Sequence, residues 1–143
     1  MSEYIRTNSL RIKNVSGETV PANSFVKITS YTVESQVSYF EIDQPDSDNI
    51  LGGMIAFAPE SISDDTIGIA YAEGLAWIKP ESGHSIVAGD KVGTKTDSWE
   101  AKEVDDDSYG HNAGQFYVLY VDTTNDLLLI RSRIRDSFVW EVT

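Results

Sequence analysis

The sequence predicts an all-β domain, a small antiparallel β-sandwich or barrel with a flexible N-terminal arm, and three observations carry that prediction. Apolar and polar residues alternate over short runs, the signature of strands with one buried face. Clusters of Gly, Pro, Asn, Asp and Ser separate those runs at intervals of about 8–12 residues, a spacing typical of sandwiches and small barrels. No window carries an apolar stripe at the helical period; the nearest candidate, residues 59–65 (PESISDD), amounts to one turn at most.

The elements follow in order. Residues 10–15 (LRIKNV) alternate, with Leu10 and Ile12 on one face and Arg11 and Lys13 on the other. Residues 16–23 (SGETVPAN) read as turn material, and residues 24–29 (SFVKIT) resume as a strand. Further strands are expected at 37–42 (VSYFEI), 54–57 (MIAF), 67–72 (IGIAYA), 75–78 (LAWI), 116–121 (FYVLYV) and 127–134 (LLLIRSRI). Residues 138–142 (FVWEV) form a last strand or an arm. Gly52 and Gly53, inside an apolar run, suggest a bulge or a close backbone approach. The acidic stretch from Glu100, running on to Asn112, reads as a long exposed loop. The chain divides into an arm (1–9), a β-domain (10–136) and a C-terminal strand or arm (137–143).

The length of 143 residues suits one domain, which at this size buries roughly two-thirds of its unfolded surface without a staple. No cysteine is present, so disulfides and thiolate zinc sites are excluded and a reducing compartment fits. The first residues lack the apolar core of a signal peptide, and no apolar run approaches the roughly 20 residues that cross a bilayer. A soluble protein with no membrane role is expected.

Net charge is −12, and its distribution is uneven. Residues 41–107 hold sixteen acids against Lys79, Lys91, Lys95 and Lys102, while both flanking segments are near neutral. A surface this acidic repels phosphate backbones and argues against nucleic-acid binding. Plain solubility and a functional acidic face explain the excess equally well.

Catalytic chemistry finds little support. His84 and His111 are the only ordinary near-neutral bases, and both sit in Gly-containing turns without a nucleophile motif. Carboxylates are numerous enough to pair by chance, so a two-carboxylate hydrolase is permitted but not indicated. Asp43, Asp46 and Asp48 suggest a calcium loop, yet every EF-hand register places Pro45 or Ile50 where an oxygen ligand is required. Asp105, Asp106 and Asp107 read as a solvated charge run more readily than as a cation site. Neither a metal nor another cofactor is expected. Asn14-Val15-Ser16 matches a glycosylation sequon, without meaning in a chain lacking a signal peptide.

Recognition is better supported. Alternation over residues 127–135 places Arg131, Arg133 and Arg135 on one strand face and Leu128, Ile130, Ser132 and Ile134 on the other. Such a stripe faces acids, either this chain's own or a partner's. Arg6, Arg11 and Lys13 add basic character near the start. Trp140 is a candidate interface anchor or, equally, a plug of the domain's own core. Trp77, Trp99 and Tyr109 are candidate aromatics for a carbohydrate site, with Trp99 beside Asp97 and Glu100; alternation pairs Trp77 with Leu75 and places it in the core instead.

The stretch RIKNVSGETVPANSFVKIT resembles the opening of small tailed-phage capsid decoration (cement) proteins. The likeness lies in Lys13-Asn14-Val15-Ser16-Gly17, the corner Val20-Pro21-Ala22-Asn23, and the strand Phe25-Val26-Lys27-Ile28. Asn23 stands where that family more often has Gly. The middle is similar through Ala56, Ala58, Ile62, Asp65, Gly68, Ala72, Gly74, Ala88-Gly89-Asp90 and Val92, and residues 113–134 resemble the family's last hairpin. The resemblance spans roughly residues 10–134, mostly through turn glycines and generic apolar positions.

It implies a non-enzymatic virion protein, assembled in the host cytoplasm and bound to the outer capsid surface. Its partners would be the major capsid protein and further copies of itself, a homotrimer favoured. Arg6, Arg11, Lys13, Arg131, Arg133, Arg135 and Trp140 are then the expected partner-binding residues. A head–tail joining or tail-fibre component, and a carbohydrate- or receptor-binding β-sandwich, are the alternatives.

Overall fold

The computed structural model describes residues 9–50, 52–104 and 116–132. They form β1 (Ser9–Asn14), β2 (Ser24–Glu34), β3 (Val37–Asp43), β4 (Ile55–Ala58), β5 (Ile67–Tyr71), β6 (Leu75–Ile78), β7 (Lys91–Thr94), β8 (Ala101–Glu103), β9 (Phe116–Asp122) and β10 (Leu127–Ser132). The expected all-β class is what the structure has. Among the described residues no helix is long and apolar enough to cross a membrane.

The first five strands close a barrel in the order β1-β3-β2-β4-β5, and the last five form a sheet in the order β6-β10-β9-β7-β8. The pairing is antiparallel except for β1 and β3, which run parallel with Ile12 opposite Phe40. The sheet's two edges approach each other: Pro80 bridges Ala101, and the 79–81 backbone exchanges hydrogen bonds with Ala101.

Period-2 alternation on β2 and β4 joins the two halves. Phe25 stands opposite Phe57, and Val26 opposite Ala56. Val26, Ala56 and Ala58 point into the barrel, where they meet Ile12, Val20, Ile42, Ile62, Ala70 and Trp99. Phe25, Ile55 and Phe57 point the other way, into a second core with Ile78, Ile86, Val92, Phe116, Val118, Leu128 and Ile130. The rings of Phe25, Phe57 and Phe116 pack with centroids 5.3–6.1 Å apart. One pair of strands thus serves two cores, and β-branched and aromatic residues suit such doubly covered strands.

Several expectations change. Residues 101–103 form a strand, and Ala101 and Val104 are buried, so the start of the acidic stretch is no exposed loop; residues 105–115, with His111 and Tyr109, lie outside the described residues. β7 carries too few apolar residues to be predicted. Gly52–Met54 is a 3-10 turn, and nothing lies within 4 Å of where a Gly53 Cβ would stand, so neither a bulge nor a close approach explains that glycine. Ser9 belongs to β1, pairing with Tyr71, instead of to the arm. Asn23 adopts φ 62°, the left-handed backbone that Gly more often supplies at such a corner.

Candidate functional site

Among the described residues, exposed apolar side chains gather on two outward faces, one on each half of the molecule, besides Tyr31, Val33 and Val37 on the β2–β3 hairpin.

On the barrel, β5 directs Gly68 and Ala70 inward and Ile67, Ile69 and Tyr71 outward, where they are 49%, 48% and 36% exposed. Antiparallel register sets Arg11 beside Ile69 and Lys13 beside Ile67. The result is an apolar strip edged by basic residues, flanked by an open groove that Pro59, Glu60, Ser61 and Ser63 complete. Arg11 is exposed. Lys13 is already engaged: its ammonium lies 3.4 Å from Asp65 and 5.7 Å from the centroid of the Tyr39 ring. The Asp65 carboxylate holds that ammonium above its ordinary pKa. Burial, and then the Glu34 carboxylate that accepts the hydroxyl hydrogen bond, push the Tyr39 phenol up.

On the second sheet, β6, β10 and β9 present the other face. Leu129 stands between Trp77 and Tyr120, and Arg131 between Leu75 and Tyr117. Leu75, Trp77, Leu119 and Tyr120 are 62%, 39%, 46% and 57% exposed. Trp77 and Tyr120 meet edge to face across β10, centroids 6.4 Å apart. A β-bulge at Leu129/Ile130 leaves Leu119 without a register partner and turns Tyr120 outward, while Val118 stays in the core. Aromatic residues and an arginine with apolar neighbours are the composition enriched at interface centres.

The structure separates residues that the sequence reading grouped. Arg11 and Lys13 lie on the barrel, and Arg131 lies on the second sheet. Leu128 and Ile130 are buried and Arg131 is exposed, as alternation predicts. Arg6, Arg133, Arg135 and Trp140 lie outside the described residues. The tryptophan assignments reverse. Trp77 and Leu75 face outward, because β10 packs Ala76 and Ile78 against the core instead. Trp99 is only 8% exposed and closes the barrel core, so it offers no sugar-stacking surface. Tyr120 and the β5 isoleucines escaped sequence reading; the outward positions of predicted strands were their only signal.

The acidic turn at 43–49 is wired to lysines. Asp46 pairs with Lys27 at 3.1 Å, and Asp48 with Lys102 at 2.8 Å. Among the described residues no group of three or more His, Asp or Glu side chains is gathered to hold a metal ion. His84 accepts the Ile86 amide at Nδ1 and approaches Asp126 through Nε2 at 3.5 Å, an arrangement that ties a turn together. Asn14, the sequon residue, is fully buried; its amide donates to the carbonyls of Glu18 and Ile62.

No family model matches the chain, and no curated protein does. Among solved structures it is similar to the head fiber gp8.5 N base of bacteriophage phi29, with 20% sequence identity and a TM-score of 0.57. The likeness covers 87% of this chain and 93% of that one, so the arrangement of barrel and second sheet is a fold shared with the base of a phage head fiber.

Proposed function

We propose that this chain is a non-enzymatic structural protein of a phage virion, bound to the outside of the head as a decoration protein. The observation that carries this reading is the likeness over nearly the whole of both chains to the N base of a head fiber. That relative also favours the head over a tail or head–tail joint as the site of attachment. The barrel strip of Ile67, Ile69 and Tyr71, with Arg11 at its edge, supports the reading as the shell-facing surface. The N-terminal arm, which precedes β1 in the chain, would add main-chain hydrogen bonds to a capsid sheet edge. Shell symmetry and a homotrimer would multiply a modest contact into tight attachment.

The test is co-sedimentation of the purified protein with isolated expanded heads, procapsids and tails. Saturable binding to expanded heads, weakened by Ile69→Ser with Arg11→Ser, is expected. Binding to tails alone, or to none of the three, overturns the proposal. Sedimentation equilibrium of the free protein tests the trimer.

A further inference from the structure

The barrel closes at a weak seam. β4 and β5 share one register pair, Phe57 with Tyr71, whereas β1 holds β5 all the way from Tyr71 to Ile67. The sequence supplies the cause. Continued in the same antiparallel register, β4 would set Pro59 opposite Ile69. Proline has no N–H to donate, and β4 stops at Ala58. The chain then turns to Val20, which Ile62 bridges through two backbone hydrogen bonds.

Hydrogen-bond alternation identifies the main-chain groups that the seam leaves open. The Asn14 amide donates to the Thr66 carbonyl at 3.0 Å. Bonded and non-bonded pairs alternate along an antiparallel ladder, so Ile12 with Gly68 and Leu10 with Ala70 are the next bonded pairs. Ile67 and Ile69 therefore turn their N–H and C=O groups away from β1 and toward the seam. Among the described residues no strand pairs with either of them on that side. A groove of about 530 Å³ opens along this edge, with residues 59–63 completing it. Ile62 packs under Gly68 and makes its floor apolar. From Ile67 to Tyr71 the edge runs about 13 Å, room for three or four extended residues.

Nothing on β5 protects this edge from pairing. Its five residues (IGIAY) include no charge and no proline, and its register with β1 is unbroken. Charge, proline and bulges are the usual means of keeping a bare edge unpaired. Ile67, Ile69 and Tyr71 instead offer an apolar row for a neighbour's side chains. Of the residues that line the groove, Glu60 alone is charged. A second copy of this chain, at net charge −12, would bring further acid to an acidic site. A segment with a basic residue next to its apolar ones is the complementary occupant.

We propose that the β5 seam accepts an extended segment of the shell protein as an added strand, in the place that β4 gives up at Pro59. Ile67 and Ile69 supply its main-chain partners. Its outward apolar residues continue the row of Ile67, Ile69 and Tyr71, and its Lys or Arg meets Glu60. That the strand comes from the shell rests on the function proposed above; that the seam takes a strand does not.

Amide hydrogen exchange in the full chain, resolved by residue with NMR, tests both parts. In the free protein Ile67 and Ile69 should exchange at least tenfold faster than Gly68 and Ala70. The probe for the seam is a capped peptide, Lys-Val-Thr-Val-Thr-Lys, at millimolar concentration. It should slow exchange at Ile67 and Ile69 at least tenfold. Methylating both valine amides removes the donors that face β5 when the valines point outward, and should weaken the peptide at least tenfold. Methylating both threonine amides should leave it nearly unchanged. Slow exchange all along β5 in the free protein, no response to the peptide, or two methylated forms that act alike overturns strand addition.

Expanded heads, added in place of the peptide with exchange quenched and read after release, should give the same protection. Heads that bind while Ile67 and Ile69 exchange as in the free protein overturn the shell as the source of the strand. Heads that do not bind overturn the proposed attachment itself, and the peptide still decides the seam. Protection that rises with the concentration of the protein alone identifies a second copy as the occupant and overturns the assignment to the shell.

Discussion

The carboxylate of Asp48, in the loop between β3 and β4, reaches the ammonium of Lys102 on β8 at 2.8 Å and ties the barrel to the second sheet. Its other oxygen accepts hydrogen bonds from the amide and hydroxyl of Thr96 at 2.7 and 2.9 Å. Close by, the Thr94 hydroxyl donates to the Ser47 carbonyl and accepts from the Ile50 amide. Three successive parts of one barrel loop are thus held by β7, the turn after it and β8.

That bond sets an acid limit on stability. The Lys102 ammonium, followed by the Thr96 amide, lowers the Asp48 pKa from 3.8 to about 2. Because the folded value lies below the unfolded one, the stabilisation is complete above 3.8, fades as pH falls toward 2, and is gone below. Allowing for partial exposure, Asp48→Asn should cost about 1–2 kcal/mol at neutral pH. Urea unfolding at pH 7, 4 and 2 checks this: the gap between wild type and variant should shrink with acid, whereas a constant gap would make the pair irrelevant to stability.

Phe57 and Phe116 meet edge to face, centroids 5.6 Å apart, where the barrel core gives way to the second core. Both are essentially unexposed. Truncating Phe57 to Ala leaves a void that neither sheet can close without moving off the other, so a loss of about 3–5 kcal/mol is expected. The transition should remain single in both near- and far-ultraviolet circular dichroism for the wild type. Two separated transitions in Phe57→Ala would show that this ring couples the halves.

Gly68 lies on β5 where a Cβ would stand 2.9 Å from Cδ1 and 3.0 Å from Cγ1 of Ile62. Ile62 is itself fixed, bridging Val20 by two backbone hydrogen bonds inside the barrel. Gly68→Ala therefore overpacks the core and should cost about 1–3 kcal/mol. Ile62→Val in the same chain should recover part of that loss. A double-mutant cycle reads the coupling, and strictly additive effects would contradict the contact.

Much of this fold is legible in the sequence where one strand face is apolar and the other is not. Leu10/Ile12 against Arg11/Lys13, and Leu128/Ile130 against Arg131, point the way their alternation says. Where both faces are apolar the reading fails: β6 offers Leu75/Trp77 or Ala76/Ile78, and only the packing of β10 decides that Ile78 goes inside. β7 and β8 bury little more than Val92, Gly93, Thr94 and Ala101, which is too faint a signal beside acidic neighbours. The parallel pairing of β1 with β3 depends on β3 inserting beside a strand that precedes it by two, which no local pattern encodes. The two candidate faces are half legible. Arg11 and Arg131 are surface residues of predicted strands, but what surrounds each arginine is set by register.

The same limit hid the tip of the long β2–β3 hairpin, and it yields a stabilising prediction. Glu34 pairs with Val37, leaving a two-residue loop of Ser35 and Gln36, with φ values of 48° and 73°. Positive φ at both positions defines a type I′ turn, which matches strand twist and favours Asn-Gly. Ser and Gln carry no such preference, so residues 30–34 did not read as half of a hairpin. Each non-glycine residue held there is strained, which a left-handed backbone makes costly by about 1 kcal/mol. Ser35→Asn with Gln36→Gly should relieve that strain and raise stability by about 1 kcal/mol, measured as a higher urea midpoint at unchanged slope. The tip lies away from both cores, so the gain should add to the losses at Phe57 and Gly68. A lower midpoint would mean that the native side chains at 35 and 36 do more than close the turn.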